Sequence, residues 1–128
     1  MADNGFGVGV GVMGVVVIDA LIHQIAELGA LARLEDVEIH HVKPHGALYN
    51  MAARSSDLAK LIVNVLGFFK EDLMLYVPFG SQLERKSKEA GIPYAVEAFA
   101  DRNYNSDLSL VSRKNKNALI AAPEAVLQ

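Results

Sequence analysis

Apolar residues recur at three- and four-residue spacing from Val15 to about Leu34. Ile18, Leu21, Ile22, Ile25 and Leu28 share one face, extended by Leu31 and Ala32, which predicts an amphipathic helix. The period then changes. Val37-Glu38-Ile39-His40-His41-Val42 alternates apolar and polar positions, a strand signature. Pro44 ends that strand, because proline has no N–H for a ladder and holds Lys43 in extended geometry. Ser55, Ser56 and Asp57 offer capping oxygens ahead of the stripe Leu58, Leu61, Ile62 and Val65, so a helix is predicted from Ser56 to Gly67. An earlier start near Leu48, with a kink at the serine pair, fits the same pattern. Leu73-Met74-Leu75-Tyr76-Val77 is an unbroken apolar run between Asp72 and Pro78, as expected of a strand covered on both faces. Ser81-Gln82-Leu83-Glu84 is a capping box that opens a third helix, and Gly91 closes it. Tyr94 to Phe99 reads as a third strand, and Asn103 to Asn117 as a polar, charged loop. Ala118-Leu119-Ile120 is expected as a short strand and Pro123-Glu124 as the start of a final helical turn.

Helix and strand alternate throughout, the rhythm of an α/β fold with mostly parallel strands covered by helices. One domain is expected over residues 1–128, with residues 1–18 as an atypical Gly/Val-rich segment. Gly5, Gly7, Gly9, Gly11 and Gly14 argue against a stable helix start there and predict loose or strand-like backbone. Gly7-Val8-Gly9 follows no strand, so it is not a dinucleotide fingerprint.

Composition narrows the class. With 52% hydrophobic and 21% charged residues among 128, the chain suits one soluble globular domain with an apolar core. The net charge of -3 and the lack of a basic stripe exclude nucleic acid as an expected partner. The chain contains no cysteine, which removes thiolate chemistry and cysteine metal sites and fits a cytoplasmic setting. Val8 to Ile18 has the length of a signal-peptide core, but no Lys or Arg precedes it and Asp19 follows at once. The run is too short for a bilayer, so no membrane association is expected.

In parallel α/β folds, reactive groups gather where strands end at their carboxyl side. That rule selects Lys43 and His45 after the first strand, Pro78, Gly80 and Ser81 after the second, and Glu97, Asp101 and Arg102 after the third. Lys43 and His45 are two residues apart on extended backbone and project the same way. The lysine suits an anionic oxygen, and the histidine a proton shuttle or a metal. Glu97 and Asp101 offer a general base, with Arg102 to fix a carboxylate; the plainer alternative is an Asp101–Arg102 ion pair that ties down the loop. Ser81 is explained as a helix cap rather than a nucleophile. His40 and His41 point to opposite faces of a strand and cannot share a metal, and His23 lies on a helix surface.

His41-Val42-Lys43-Pro44-His45-Gly46-Ala47-Leu48-Tyr49-Asn50 resembles the hallmark segment of the LamB/YcsF family, whose members form one component of bacterial-type 5-oxoprolinase. Glu97-Ala98-Phe99-Ala100-Asp101-Arg102-Asn103-Tyr104 resembles a second hallmark, and Leu110-Val111-Ser112-Arg113 a weaker third. The resemblance covers Asp19 to Gln128. It implies a partial (β/α) barrel of the glycoside hydrolase/deacetylase type. It also implies a hydrolase that opens the cyclic amide 5-oxoproline to glutamate, with ATP used through a complex of partner subunits. His45, Glu97 and Asp101 are then the implied catalytic residues, and Lys43, Arg102 and Tyr104 the implied substrate contacts; no metal is assigned.

This chain departs from the family pattern at several points. The family's Asp-Leu-Asn-Cys-Asp, Cys-Gly-Phe-His, Ala-His-Pro-Gly and His-Gly-Asp segments are absent, and Leu108 stands where glycine is usual. A barrel lacking those strands has exposed edges, which another chain or a homo-oligomer would cover. Two further readings stay open: a non-catalytic binding module, and a carbohydrate-active hydrolase or deacetylase of the same barrel class.

Overall fold

The computed structural model describes residues 11–69 and 73–121. Among the described residues four helices and three strands follow one another as α1 (Val12–Leu34), β1 (His41–Val42), α2 (Gly46–Arg54), α3 (Ser56–Leu66), β2 (Met74–Pro78), α4 (Gln82–Ala90) and β3 (Tyr94–Glu97). The strands form one open parallel sheet in the order β1-β2-β3.

Local chemistry explains the boundaries. The second helical region divides at the serine pair, as expected: Ser55 ends α2 and its Oγ accepts the Leu58 N–H at 3.2 Å to cap α3. Ser81 caps α4 by accepting the Glu84 N–H at 3.1 Å, and Glu84 reaches back to the Gly80 N–H at 2.7 Å. Gly91 closes α4 in left-handed geometry, φ 69°, where a Cβ would be strained.

Several expectations change. α1 begins at Val12, so the glycine-rich run is helical from there on; Gly14 costs about 1 kcal/mol in a helix, which the surrounding apolar turns absorb. At 23 residues α1 is long and apolar enough to cross a membrane by length and composition, since the apolar run continues past Asp19. β1 is confined to His41–Val42, because only those residues meet β2 in register; Val37 is exposed and Ile39 packs against the core instead. Leu119 makes a single antiparallel bridge with Arg102 in place of a strand. Pro123-Glu124 lies outside the described residues.

The core lies between the helices and one face of the sheet. Leu75 and Val77 are fully buried there with Ile62, Val65 and Leu83, and Ile25 joins from α1. β2 is therefore covered on one face, not equally on two. Met74, Tyr76 and Pro78 alternate to the other face, and the register His41↔Met74 and Pro78↔Glu97 puts His41 and Glu97 there too. That face, at the carboxyl ends of the strands, carries the polar chemistry.

Candidate active site

The site is built from the two strand ends on either side of β2. Lys43 leaves β1 and Glu97 ends β3, and Lys43 Nζ lies 2.9 Å from Glu97 Oε1. Both side chains are partly shielded, at 35% and 21% exposure, so their attraction exceeds that of an ordinary surface pair. An aromatic wall backs the ammonium. Lys43 Nζ lies 4.9 Å from the centre of the Phe99 ring and 5.6 Å from that of Tyr49, within cation–π range. The Tyr49 and Phe99 rings meet edge to face at 6.2 Å.

Tyr49 is 6% exposed. Burial first, and then the Glu97 carboxylate its hydroxyl donates toward, push its pKa far above the usual tyrosine value. It stays a neutral donor across the accessible pH range. Tyr104 closes the group by accepting the Phe99 N–H at 2.8 Å. Tyr49 and Phe99 lie inside the two hallmark segments, but sequence reasoning gave them no role. Their signal was an aromatic a short way past each charged residue, easily taken for core packing.

The other expected residues, His45, Asp101 and Arg102, make no hydrogen bond or ion pair with Lys43 or Glu97 among the described residues. His45 occupies the exposed N-cap position of α2, followed by Gly46 at φ 57°, and makes no hydrogen bond or ion pair among the described residues. Asp101 accepts the Ile120 N–H at its backbone oxygen, and its exposed carboxylate has no partner among the described residues. The Asp101–Arg102 ion pair that the sequence allowed is therefore not formed. Arg102 instead donates from Nη2 to the Val111 carbonyl at 3.0 Å, while its buried Nε has no hydrogen-bond partner. With Asn103, whose side chain reaches the Asn117 carbonyl at 2.6 Å, it fastens the loop that follows β3.

Outside the site Ser81 is the helix cap that the sequence predicts, and three histidines make ring or surface contacts. His41 stacks on Tyr76 at 4.2 Å, His40 meets His41 edge to face, and His23 pairs with Asp19 at the surface. Among the described residues no three His, Asp or Glu gather to hold a metal ion. A cavity of about 230 Å³ lies at the opposite end of the sheet, between Ile25, Gly29, Ile39, Phe69 and Leu73.

Leu108, where glycine was anticipated, has φ 67°. Its side chain reaches over Gly80 in the turn after β2, itself at φ 68°; a Cβ on Gly80 would lie 2.7 Å from Leu108 Cδ1. Asp107 holds this turn by accepting the Ser109 N–H at 3.0 Å, and its contact with the Ser109 hydroxyl lowers its pKa.

A parallel sheet whose outer strands bring a lysine and a carboxylate together at their carboxyl ends defines an α/β protein with a strand-end polar site. The chain belongs to the LamB/YcsF family, whose profile matches residues 5–128. It is 44% identical over 110 residues to the 5-oxoprolinase A subunit of Tolumonas auensis, covering 86% of this chain and 44% of that protein. It is 43% identical over 126 residues to the corresponding A subunit of Chloroflexus aggregans, covering 98% of this chain and 50% of that protein. The crystal structure of the lactam utilization protein of Thermus thermophilus superposes with a TM-score of 0.77 at 34% identity, over 86% of this chain and 44% of that one. The chain thus spans about half the length of the curated relatives it matches.

Proposed function

We propose that this chain contributes to hydrolytic opening of 5-oxoproline, as the A-type component of an ATP-dependent 5-oxoprolinase assembled with partner subunits in the cytoplasm. The observation that carries this reading is the Lys43–Glu97 ion pair, which unites the two hallmark segments at neighbouring strand ends. In this reading the open sheet is an arc of a (β/α) barrel, and the His41–Glu97 face is its interior.

A lactam carbonyl is a poor electrophile, so it must be polarised before water can attack. Lys43 is placed to bind the carbonyl oxygen, held in position by Glu97 and the Tyr49–Phe99 wall. Asp101, with its carboxylate uncommitted among the described residues, takes the proton from water, and His45 delivers one to the departing ring nitrogen. Glu97 is committed to Lys43 and acts as the alternative base only when that pair opens. Arg102 is assigned the substrate carboxylate through its guanidinium, which the Nη2 bond to the Val111 carbonyl holds in place. Tyr104 lines the same edge.

One lysine beside a carboxylate does not suit a triphosphate, because Glu97 repels it. The residues here fit the lactam; ATP supplies carbonyl activation and is assigned to the partner subunits.

The test is ATP-dependent formation of glutamate from 5-oxoproline by this chain with the remaining subunits of a relative. His45→Ala is expected to reduce turnover by roughly 100-fold or more. Undiminished turnover in that variant would remove His45 from the mechanism. Binding of 5-oxoproline with no turnover in any assembly would favour the non-catalytic module, which the open sheet also suits.

A further inference from the structure

We propose that Tyr76, backed by His41 and flanked by Ala95, is the ring-binding surface of the Lys43–Glu97 site: a flat aromatic face that takes a five-membered cyclic amide and rejects its open-chain product. The inference rests on the lactam reading of the site and adds to it a specificity surface on the sheet itself.

The face that carries the ion pair fixes the place. Side chains alternate across a strand, so Met74, Tyr76 and Pro78 share the face opposite the buried Leu75 and Val77. In register, Tyr76 pairs with Ala95 and Pro78 with Glu97. Lys43 follows His41 by two residues on the other side of β2, and its bond to Glu97 closes over β2 at the level of Pro78. Tyr76 stands two residues back from that bridge, about 6–7 Å along the strand. A five-membered ring held at Lys43 through its carbonyl oxygen spans that interval.

The rings are disposed to receive another. His41 and Tyr76 stack with centroids 4.2 Å apart and planes 6° from parallel, while His40 meets His41 edge to face at 5.7 Å. His41 therefore has an aromatic neighbour besides Tyr76, whereas Tyr76 has no second ring against it among the described residues. Beside it on β3 stands only the methyl group of Ala95, and both residues are partly exposed. An aromatic face next to a small side chain, with a few polar groups at one end, is how pockets for small flat ligands are lined.

The chemistry of the two ends of the reaction gives this surface its selectivity. A lactam is flat about its amide and offers a weakly polar face that stacks on an aromatic ring. Opening the ring creates an ammonium and a second carboxylate, both strongly hydrated, and removes the flat face. Tyr76 thus favours the closed ring and lets the product go. The plainer reading, a cross-strand pair that only steadies the sheet, predicts no contact between Tyr76 and the ligand.

The experiment titrates 5-oxoproline into this full chain and follows the ring methylene protons of the ligand by NMR. An adjacent Tyr76 ring shifts them upfield. Tyr76→Leu is expected to weaken binding roughly 5-fold or more and to remove the upfield shift. Tyr76→Phe, which keeps the flat face, is expected to restore both. Ala95→Leu fills the space beside the ring and is expected to weaken binding at least as much, in a chain that unfolds at the same temperature as the parent. Should Tyr76→Leu fail to fold, Ala95→Leu decides alone. Glutamate is expected to bind no better to the parent than to Tyr76→Leu. Binding of 5-oxoproline that is indifferent to both positions would overturn this proposal and leave the lactam reading standing. A loss in Tyr76→Leu that Tyr76→Phe does not restore would overturn it too, since the flat face would then not be what binds. A parent chain that binds no 5-oxoproline would overturn both readings.

Discussion

Leu108 holds a backbone conformation that costs a branched side chain about 1–2 kcal/mol relative to glycine. Its side chain leans over Gly80, which shares the left-handed geometry, so the two turns pack against each other. Gly80→Ala is expected to lower stability by roughly 1–2 kcal/mol, read as a lower urea midpoint, from the positive φ and the contact with Leu108. In a Leu108→Ala background the penalty should shrink; an equal penalty would show that the two residues do not touch. Tyr49 makes a different prediction. Its folded-state pKa is raised, so above the ordinary value of 10.0 the unfolded chain loses a proton that the folded one keeps. The stability this residue confers is full below that pH and is lost as pH rises above it. Tyr49→Phe should therefore be less stable than the parent at neutral pH by about 1 kcal/mol, with the gap closing in strongly alkaline urea titrations. A gap that widens with pH contradicts the burial of that hydroxyl against Glu97.

At the level of elements, the signals that survived were those whose physics is local. Serine oxygens at Ser55 and Ser81, the glycine at Gly91 and the stripe of α3 each act over a short stretch of chain, and all are legible in the sequence. Ser81→Ala is expected to cost about 1 kcal/mol by thermal unfolding, because it frees the Glu84 N–H and loosens the return bond from Glu84 to Gly80. Elements that depend on a distant partner were misjudged. Val37 to His40 has strand chemistry but no strand beside it among the described residues, and Leu119 finds only Arg102. The helix start at Val12 was hidden for the opposite reason: its glycines lower intrinsic propensity, while the long apolar run that offsets them extends over many turns. The strand-end rule named Lys43 and Glu97 among the strand-end residues but joined Lys43 to His45 and Glu97 to Asp101, whereas the fold pairs Lys43 with Glu97. It could not reveal Tyr49 and Phe99, whose role is to hold Lys43 and which resemble ordinary core aromatics in a single sequence.

Over the whole molecule, the parallel order β1-β2-β3 is what makes the site possible, because it carries two segments far apart in sequence to the same end of one sheet. The helices seal the other face, where Leu75 and Val77 are fully buried, and leave the polar face open. The claim that Lys43 and Glu97 act as one unit is tested most directly by a double-mutant cycle. Lys43→Met, Glu97→Gln and the double variant are compared for glutamate release from 5-oxoproline in the assembled, ATP-supplied complex. Because either change alone strands a half-buried partner, the double variant should be no worse than the poorer single one, a strong departure from additivity. Independent, multiplying losses would contradict the account.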